Sequence, residues 1–324
     1  MERWLLVVLA SVLVAAACSD SGGSATEQPG GADRAAPARP DAGACDDADT
    51  SSCLLPWPND RFTRPDEATA TGLRVDLPVG GTPTNADGVA VNVSDQNRGD
   101  GFSPAAMGMV VIPNLDVEAS GLPPVTDIGR SIRDDSPLVV LDVDSGQRVP
   151  AWAELDAAGE GPERTPLMIV PATSLIEGHR HVMALRNLVD ANGADIAPSD
   201  VWSDRLDRPD ALTTEVIDGL SNADLDAADM TIAWSFTVAS GQSLSGRLRH
   251  MWDETQADID AEPPKLTVDS STDSDTTRTV RGSFEVPNYL TGNGGPGESL
   301  NNDGDPDGIP KRNGSLTSEF LCML

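Results

Sequence analysis

The chain has 324 residues, and 22 Lys plus Arg against 52 Asp plus Glu give a formal charge of −30. A field of that sign repels nucleic acid and anionic lipid headgroups, which excludes both as partners held by charge. Aromatic residues are only 4%, while 30 Gly and 25 Pro favour short strands and frequent turns over long helices.

Met1 to Trp4 form a short polar start carrying Arg3, and Leu5 to Ala17 an unbroken apolar run that ends at Cys18-Ser19-Asp20. This is the layout of a secretory signal, too short to span a bilayer as a mature helix. Cys18 directly behind Ala15-Ala16-Ala17 resembles the end of a bacterial lipoprotein signal over residues 1–18. That resemblance implies lipid on Cys18 and a membrane partner through the anchor, at the outer face of the cell envelope. Ordinary cleavage on an Ala-x-Ala pattern is the other reading. Residues 19–52 are Gly, Ala, Ser, Pro and Asp with almost no large apolar side chain, the composition of a tether that cannot offset its ordering entropy. Cys45 and Cys53 lie eight apart in an exported chain and are expected to pair, closing a loop worth roughly 2–3 kcal/mol. Cys322 is left over.

Folded sequence starts at Cys53, and over 53–200 short apolar runs alternate with Gly, Pro, Asn and Asp clusters, the pattern of an all-β sandwich. Strands are expected at Leu73–Leu77, Met107–Ile112, Pro137–Val143, Val149–Leu155, Leu167–Val170 and His181–Leu188. The course from Leu175-Ile176-Glu177-Gly178 to Asn192-Gly193 is similar to the last strands of bacterial Ig-like modules, which implies an Ig-like sandwich. Over 201–262 the periodicity turns helical at Asp210–Leu220 and Leu244–Ile259, around a β-rich run, Met230–Val238. Pro263-Pro264 ends that segment. In 263–324 a strand pair, Leu266–Val268 and Thr279–Val286, leads into Pro287-Asn288-Tyr289-Leu290 and a Gly/Asn/Asp loop.

Five short segments together resemble the N-terminal region of exported bacterial lipase and esterase lipoproteins of the virulence-factor type, which carry an α/β-hydrolase domain. They are Leu54-Leu55-Pro56-Trp57-Pro58-Asn59-Asp60, Asp100-Gly101-Phe102-Ser103-Pro104, Ile128-Gly129-Arg130-Ser131, Ala233 through Ser240, and Gly282 through Leu290. The resemblance runs from Cys53 to Cys322. It implies a mainly β fold: an Ig-like sandwich, a small helical α+β segment, and the leading strands of a hydrolase domain that lies beyond a truncation. Such hydrolases need a Gly-x-Ser-x-Gly elbow, an oxyanion loop and an Asp/His pair, and this sequence has no Gly-x-Ser-x-Gly. The implied role is therefore a non-catalytic accessory region that holds or covers a hydrolase domain. The alternative is a stand-alone envelope lipoprotein that binds a partner or ligand through its sandwich.

Gly241-Gln242-Ser243-Leu244-Ser245 comes nearest to the elbow, but it opens the second helix, so Ser243 reads as first-turn or capping sequence. His179 and His181 stand two apart on a strand, one possible metal-ligand spacing, with no motif completing a set. His250 lies on a helix among basic residues. Asp303-Gly304-Asp305-Pro306-Asp307-Gly308 resembles the start of a calcium loop, but position twelve is Gly314 rather than Glu, and a solvated acidic turn is expected. Trp57, Trp152, Trp202, Trp234 and Trp252 would form a platform only if they converge. No catalytic residue, metal site or cofactor is assigned.

Overall fold

The computed structural model describes residues 54–324 apart from 79–81, 83, 84, 160 and 306. The signal, the tether, Cys18 and the expected Cys45–Cys53 pair lie outside the described residues.

In chain order the strands are β1 (Thr63–Pro65), β2 (Leu73–Val75), β3 (Gly108–Val111), β4 (Leu138–Asp142), β5 (Gln147–Arg148), β6 (Ala151–Leu155), β7 (Pro166–Pro171) and β8 (Arg180–Arg186). Helices α1 (Asp200–Asp207) and α2 (Ala211–Asn222) precede β9 (Met230–Thr237). Helix α3 (Gly241–Ala261) leads to β10 (Thr267–Asp273), β11 (Arg278–Pro287) and β12 (Ser315–Met323). The described chain is mainly β and forms four sheets, β1-β2, β3-β7-β6, β5-β4-β8-β9 and β10-β11-β12, all antiparallel.

The sheet β5-β4-β8-β9 is central because every residue of β4 and β9, and 181–185 of β8, is buried. Leu138, Val140, Met183, Leu185, Ile232, Trp234 and Phe236 share one core with Val110, Ala151, Ala153, Leu167 and Ile169 of β3-β7-β6. The alternate residues Val139, Leu141, Val182, Ala184 and Ala233 pack against Trp202 of α1 and Val216 and Leu220 of α2. Strands buried on both sides read as continuous apolar runs, as Leu138–Leu141 and Val182–Leu185 do, whereas β9 alternates large apolar residues with Thr, Ala and Ser. Met230 joins the helix side although Ile232 joins the other. The register slips there, Leu185 pairing with Ile232 and Arg186 with Met230, and a one-residue slip moves a side chain to the opposite face.

Residues on both sides of position 200 build this one sheet, since β9 pairs with β8 along its length. The run expected as a strand, Val149–Leu155, is strand only from Ala151, and β5, just before it, is a separate strand. β5 joins β4 and β6 joins β7, and Pro150 between them has no N–H for a ladder. The elements that carry no expectation from sequence include α1, β1, β5, β12 and a 3-10 segment over Val125–Ile132.

The sheet β10-β11-β12 is built differently. Every residue of β10 is exposed, and β11 buries only Gly282. A Cβ on Gly282 would come within 2.2 Å of the Thr267 carbonyl and 2.5 Å of the Phe320 ring, so glycine is needed for the close approach of the neighbouring strands. Cross-strand pairs place Val280, Phe284, Val286, Leu316, Phe320 and Cys322 on one face and Arg281, Glu285, Thr317 and Glu319 on the other.

Candidate functional site

One end of the central sheet gathers three of the five motif segments. In the first, Asn59 Oδ1 accepts from Arg61 N–H at 3.0 Å and starts a 3-10 turn. This turn carries Asp60 into the interior, 2% exposed. There its two oxygens accept from the Thr237 backbone N–H at 2.8 Å and from Thr237 Oγ1 at 2.9 Å. In the second, Asp100 accepts from the Ser240 N–H at 2.9 Å and from Ser240 Oγ at 2.6 Å. Gly101 lies against β9's end, where a Cβ would stand 2.7 Å from both Ala239 N and Thr237 O. Phe102 then forms a parallel bridge with Val238. The short motifs are thus staples that tie the segments around Asp60 and Asp100 to the end of β9 and the start of α3.

Ser240 is the N-cap of α3, its hydroxyl accepting from Ser243 N–H at 3.1 Å. Ser243 stands in the first turn, as expected, and its Oγ accepts from Asp100 N–H at 3.2 Å. Neither hydroxyl is set beside an imidazole. His179 Nδ1 lies 2.9 Å from Asp142 Oδ2, His181 Nδ1 lies 3.3 Å from the His179 carbonyl, and His250 Nε2 lies 3.8 Å from Glu254.

The staples carry charge. Burial pushes the Asp60 carboxyl up to about 6, against the pull of its Thr237 hydrogen bonds and of Arg180. Arg180 Nε is 3.8 Å from Asp60 Oδ2, and its guanidinium also pairs with Glu215 of α2. Arg61 bonds Asp210 at 2.8 Å and Thr213 at 3.2 Å, and this arginine holds the Asp210 carboxyl well below the usual carboxylate range. A cavity of about 190 Å³ opens beside α3's first turn between Arg74, Arg98, Arg247, Asp100, Ser243 and Asp307. Its charges are mixed, because Arg74 is held by Asp66 at 2.5 Å and Asp307 at 3.1 Å.

The histidines do not act as a pair. His179 precedes β8 and is part-exposed, whereas His181 is wholly buried and stacks on Phe236 at 5.6 Å. The set that comes together is His179 with Asp142 and Asp144, whose candidate ligand atoms lie within 4.8 Å of one another. Asp-x-Asp at the start of a hairpin turn was the signal in the sequence, but its proximity to residue 179 depends on the pairing of β4 with β8. In the acidic loop, by contrast, Asp303 bonds Lys311 at 2.5 Å and Asp307 bonds Arg74, so these carboxylates face cations. The tryptophans do not form a platform: Trp202 and Trp234 belong to different cores and Trp252 is 66% exposed.

Helix α3 is the second notable surface. It has no buried residue. Its half-buried side carries Ser245, Arg247, His250, Met251 and Glu254, while Leu244, Leu248, Trp252 and Ile259 are exposed. An ordinary surface helix turns its apolar stripe inward, and here much of it faces out. Helix α3 is fastened to the segment between β11 and β12 by polar contacts: Tyr289 Oη donates to Glu254 at 2.7 Å, and Arg312 pairs with Glu254 at 3.4 Å and Asp258 at 2.5 Å. A cleft of about 290 Å³, lined by Ile259, Pro264, Phe284 and Val286 among others, remains between helix and sheet. Leu266, Val268, Leu321 and Met323 continue the exposed apolar surface.

Among the described residues no helix is long and apolar enough to cross a membrane. Comparison with protein-family models, with curated proteins and with solved structures finds no match to the chain.

Proposed function

We propose that the chain is the non-catalytic N-terminal accessory region of an exported lipase/esterase-like lipoprotein. In this reading an Ig-like sandwich, anchored through lipid on Cys18 and tied at its root by a Cys45–Cys53 disulfide, positions a hydrolase domain outside this chain. The observation that carries the reading is the outward apolar stripe of α3, Leu244, Leu248, Trp252 and Ile259. It spans about 22 Å along the helix at 1.5 Å per residue. Contiguous exposed apolar surface of this kind marks an interaction site. Strand β12 supports the same reading, because among the described residues it pairs only with β11 and its other edge has no partner strand. The staples at Asp60 and Asp100 would then fix α3 to the sandwich, so that the docking surface has a defined direction.

The test begins with the coding sequence after the Leu324 codon, which should encode a His-Gly-type loop and Gly-x-Ser-x-Gly. When the chain is produced together with that polypeptide, hydrogen exchange should slow in α3 and β12 and Trp252 fluorescence should shift to the blue. The chain alone should not hydrolyse p-nitrophenyl esters above background. Unchanged exchange in α3 and β12, or turnover by the chain alone that survives Ser243→Ala, would overturn the proposal.

A further inference from the structure

The geometry points to a divalent transition-metal site made by Asp142, Asp144 and His179, with zinc as the cation its chemistry fits best. The three residues come from two elements that the sheet brings together. Asp142 ends β4 and Asp144 lies in the turn to β5, while His179 stands one residue before β8, the strand hydrogen bonded to β4.

Each carboxylate divides its work. Asp142 Oδ1 accepts from the N–H groups of Asp144 at 3.1 Å and Ser145 at 3.2 Å, which fixes the turn. Its Oδ2 faces His179 Nδ1 at 2.9 Å. Asp144 Oδ2 accepts from Arg180 N–H at 2.6 Å, and its other oxygen is left for a ligand. Both Asp142 oxygens stand close to the ring, at 3.1 and 2.9 Å from Nδ1, and one oxygen of Asp144 lies within 4.8 Å of it.

The separations suit a small cation. Tetrahedral zinc with bonds of about 2.0–2.2 Å places neighbouring ligand atoms roughly 3.3–3.5 Å apart. The Asp142–His179 contacts of 2.9 and 3.1 Å are slightly shorter than that edge, and all three donors fall within 4.8 Å. Two carboxylates and a neutral imidazole balance the charge of a divalent ion. Imidazole among the donors favours zinc and its transition-metal neighbours over calcium, which takes six or more oxygens. Three protein ligands leave the fourth position open to water or to a partner's side chain.

Two further observations mark this corner. His181, paired with Asp142 across β4 and β8, is wholly buried, and its Nε2 has no hydrogen-bond partner among the described residues; it is not one of the three converging donors. The arginine between the histidines does not neutralise the site, since the Arg180 guanidinium is engaged with Glu215 and Asp60.

The test is a Co²⁺ absorption titration of the purified full chain, followed by competition with Zn²⁺. One equivalent should bind with the d–d bands of a nitrogen/oxygen site and without the intense thiolate band that the exposed Cys322 would give. Asp144→Asn keeps an oxygen for the Arg180 N–H and should retain the fold by circular dichroism. It should weaken binding by more than the roughly 10–100-fold that loss of an outer-shell partner costs. His179→Gln should do the same, and Cys322→Ser should change nothing. No saturable binding, or binding that survives both ligand variants, would reduce the cluster to an Asp–His hydrogen bond that caps a turn.

Discussion

Strand β9 and helix α3 are joined by only three residues, Val238 to Ser240, yet they treat apolar side chains in opposite ways. All eight residues of β9 are buried, including Thr231, Ser235 and Thr237. None of the 21 residues of α3 is buried, although it carries Leu244, Leu248, Met251, Trp252 and Ile259. The difference lies in what covers each element. β9 has a second sheet on one face and α1 and α2 on the other, whereas α3 meets the rest of the described chain mainly through charged and polar side chains, with Met251 half-buried among them. Apolar content alone therefore does not indicate where stability resides in this molecule.

The largest effect expected from that contrast is at Phe236, which is wholly buried between β8 and the facing sheet. Phe236→Ala should cost about 3–5 kcal/mol in urea unfolding, the range for a large core truncation. A loss below about 1 kcal/mol would mean that the central sheet is not the stable unit.

Next comes the buried staple. Asp60 holds its proton up to about pH 6 in the folded chain against an ordinary value of 3.8. The folded state thus binds more protons than the unfolded state between these values, and stability falls as pH rises through the window. The contribution is complete below pH 3.8, is lost by about pH 6, and amounts to roughly 3 kcal/mol. Asp60→Asn should flatten that part of the profile. A wild-type profile that rises from pH 4 to pH 6 in parallel with the variant would contradict the burial cost assigned to Asp60.

Ser240→Ala removes the cap of α3 and a hydrogen-bond donor to Asp100. It should destabilise by about 1 kcal/mol, and amide exchange in the first turn of α3 should accelerate before that in β9. Equal acceleration in both would show that helix and sheet open as one unit.

Smallest of all should be Leu248→Ala and Trp252→Ala, within about 0.5 kcal/mol because both side chains are already exposed. Their effect belongs to binding, and the double variant should bind an apolar fluorescent dye less than the wild type. A cost above 2 kcal/mol would show that the stripe is covered within this chain and would remove the main support for a docking role.

Much of the fold was legible from local pattern. Leu138–Leu141 is apolar without alternation and Met230–Phe236 alternates large apolar residues with Thr, Ala and Ser, and both became strands buried on both faces. The Asp210–Leu220 and Leu244–Ile259 periodicities became α2 and α3 with boundaries shifted by one to three residues. β12 escaped because Leu316, Ser318 and Phe320 alternate too weakly to be read without the partner strand that orders them. α1 escaped because a single apolar anchor, Trp202, secures it.

By itself, the sequence determined the β-rich class, the turn chemistry, the first-turn place of Ser243 and the acidic surface. These follow from side-chain period, from Gly and Pro backbone limits, and from charge, all of which act over a few residues. Tertiary structure alone decided which face of α3 points outward and why Asp60 and Asp100 are buried. It also decided that Asp142 and Asp144 meet His179 across 35 or more positions of sequence. Those outcomes depend on strand pairing and on which surfaces find cover, and neither is recorded in the local order of residues.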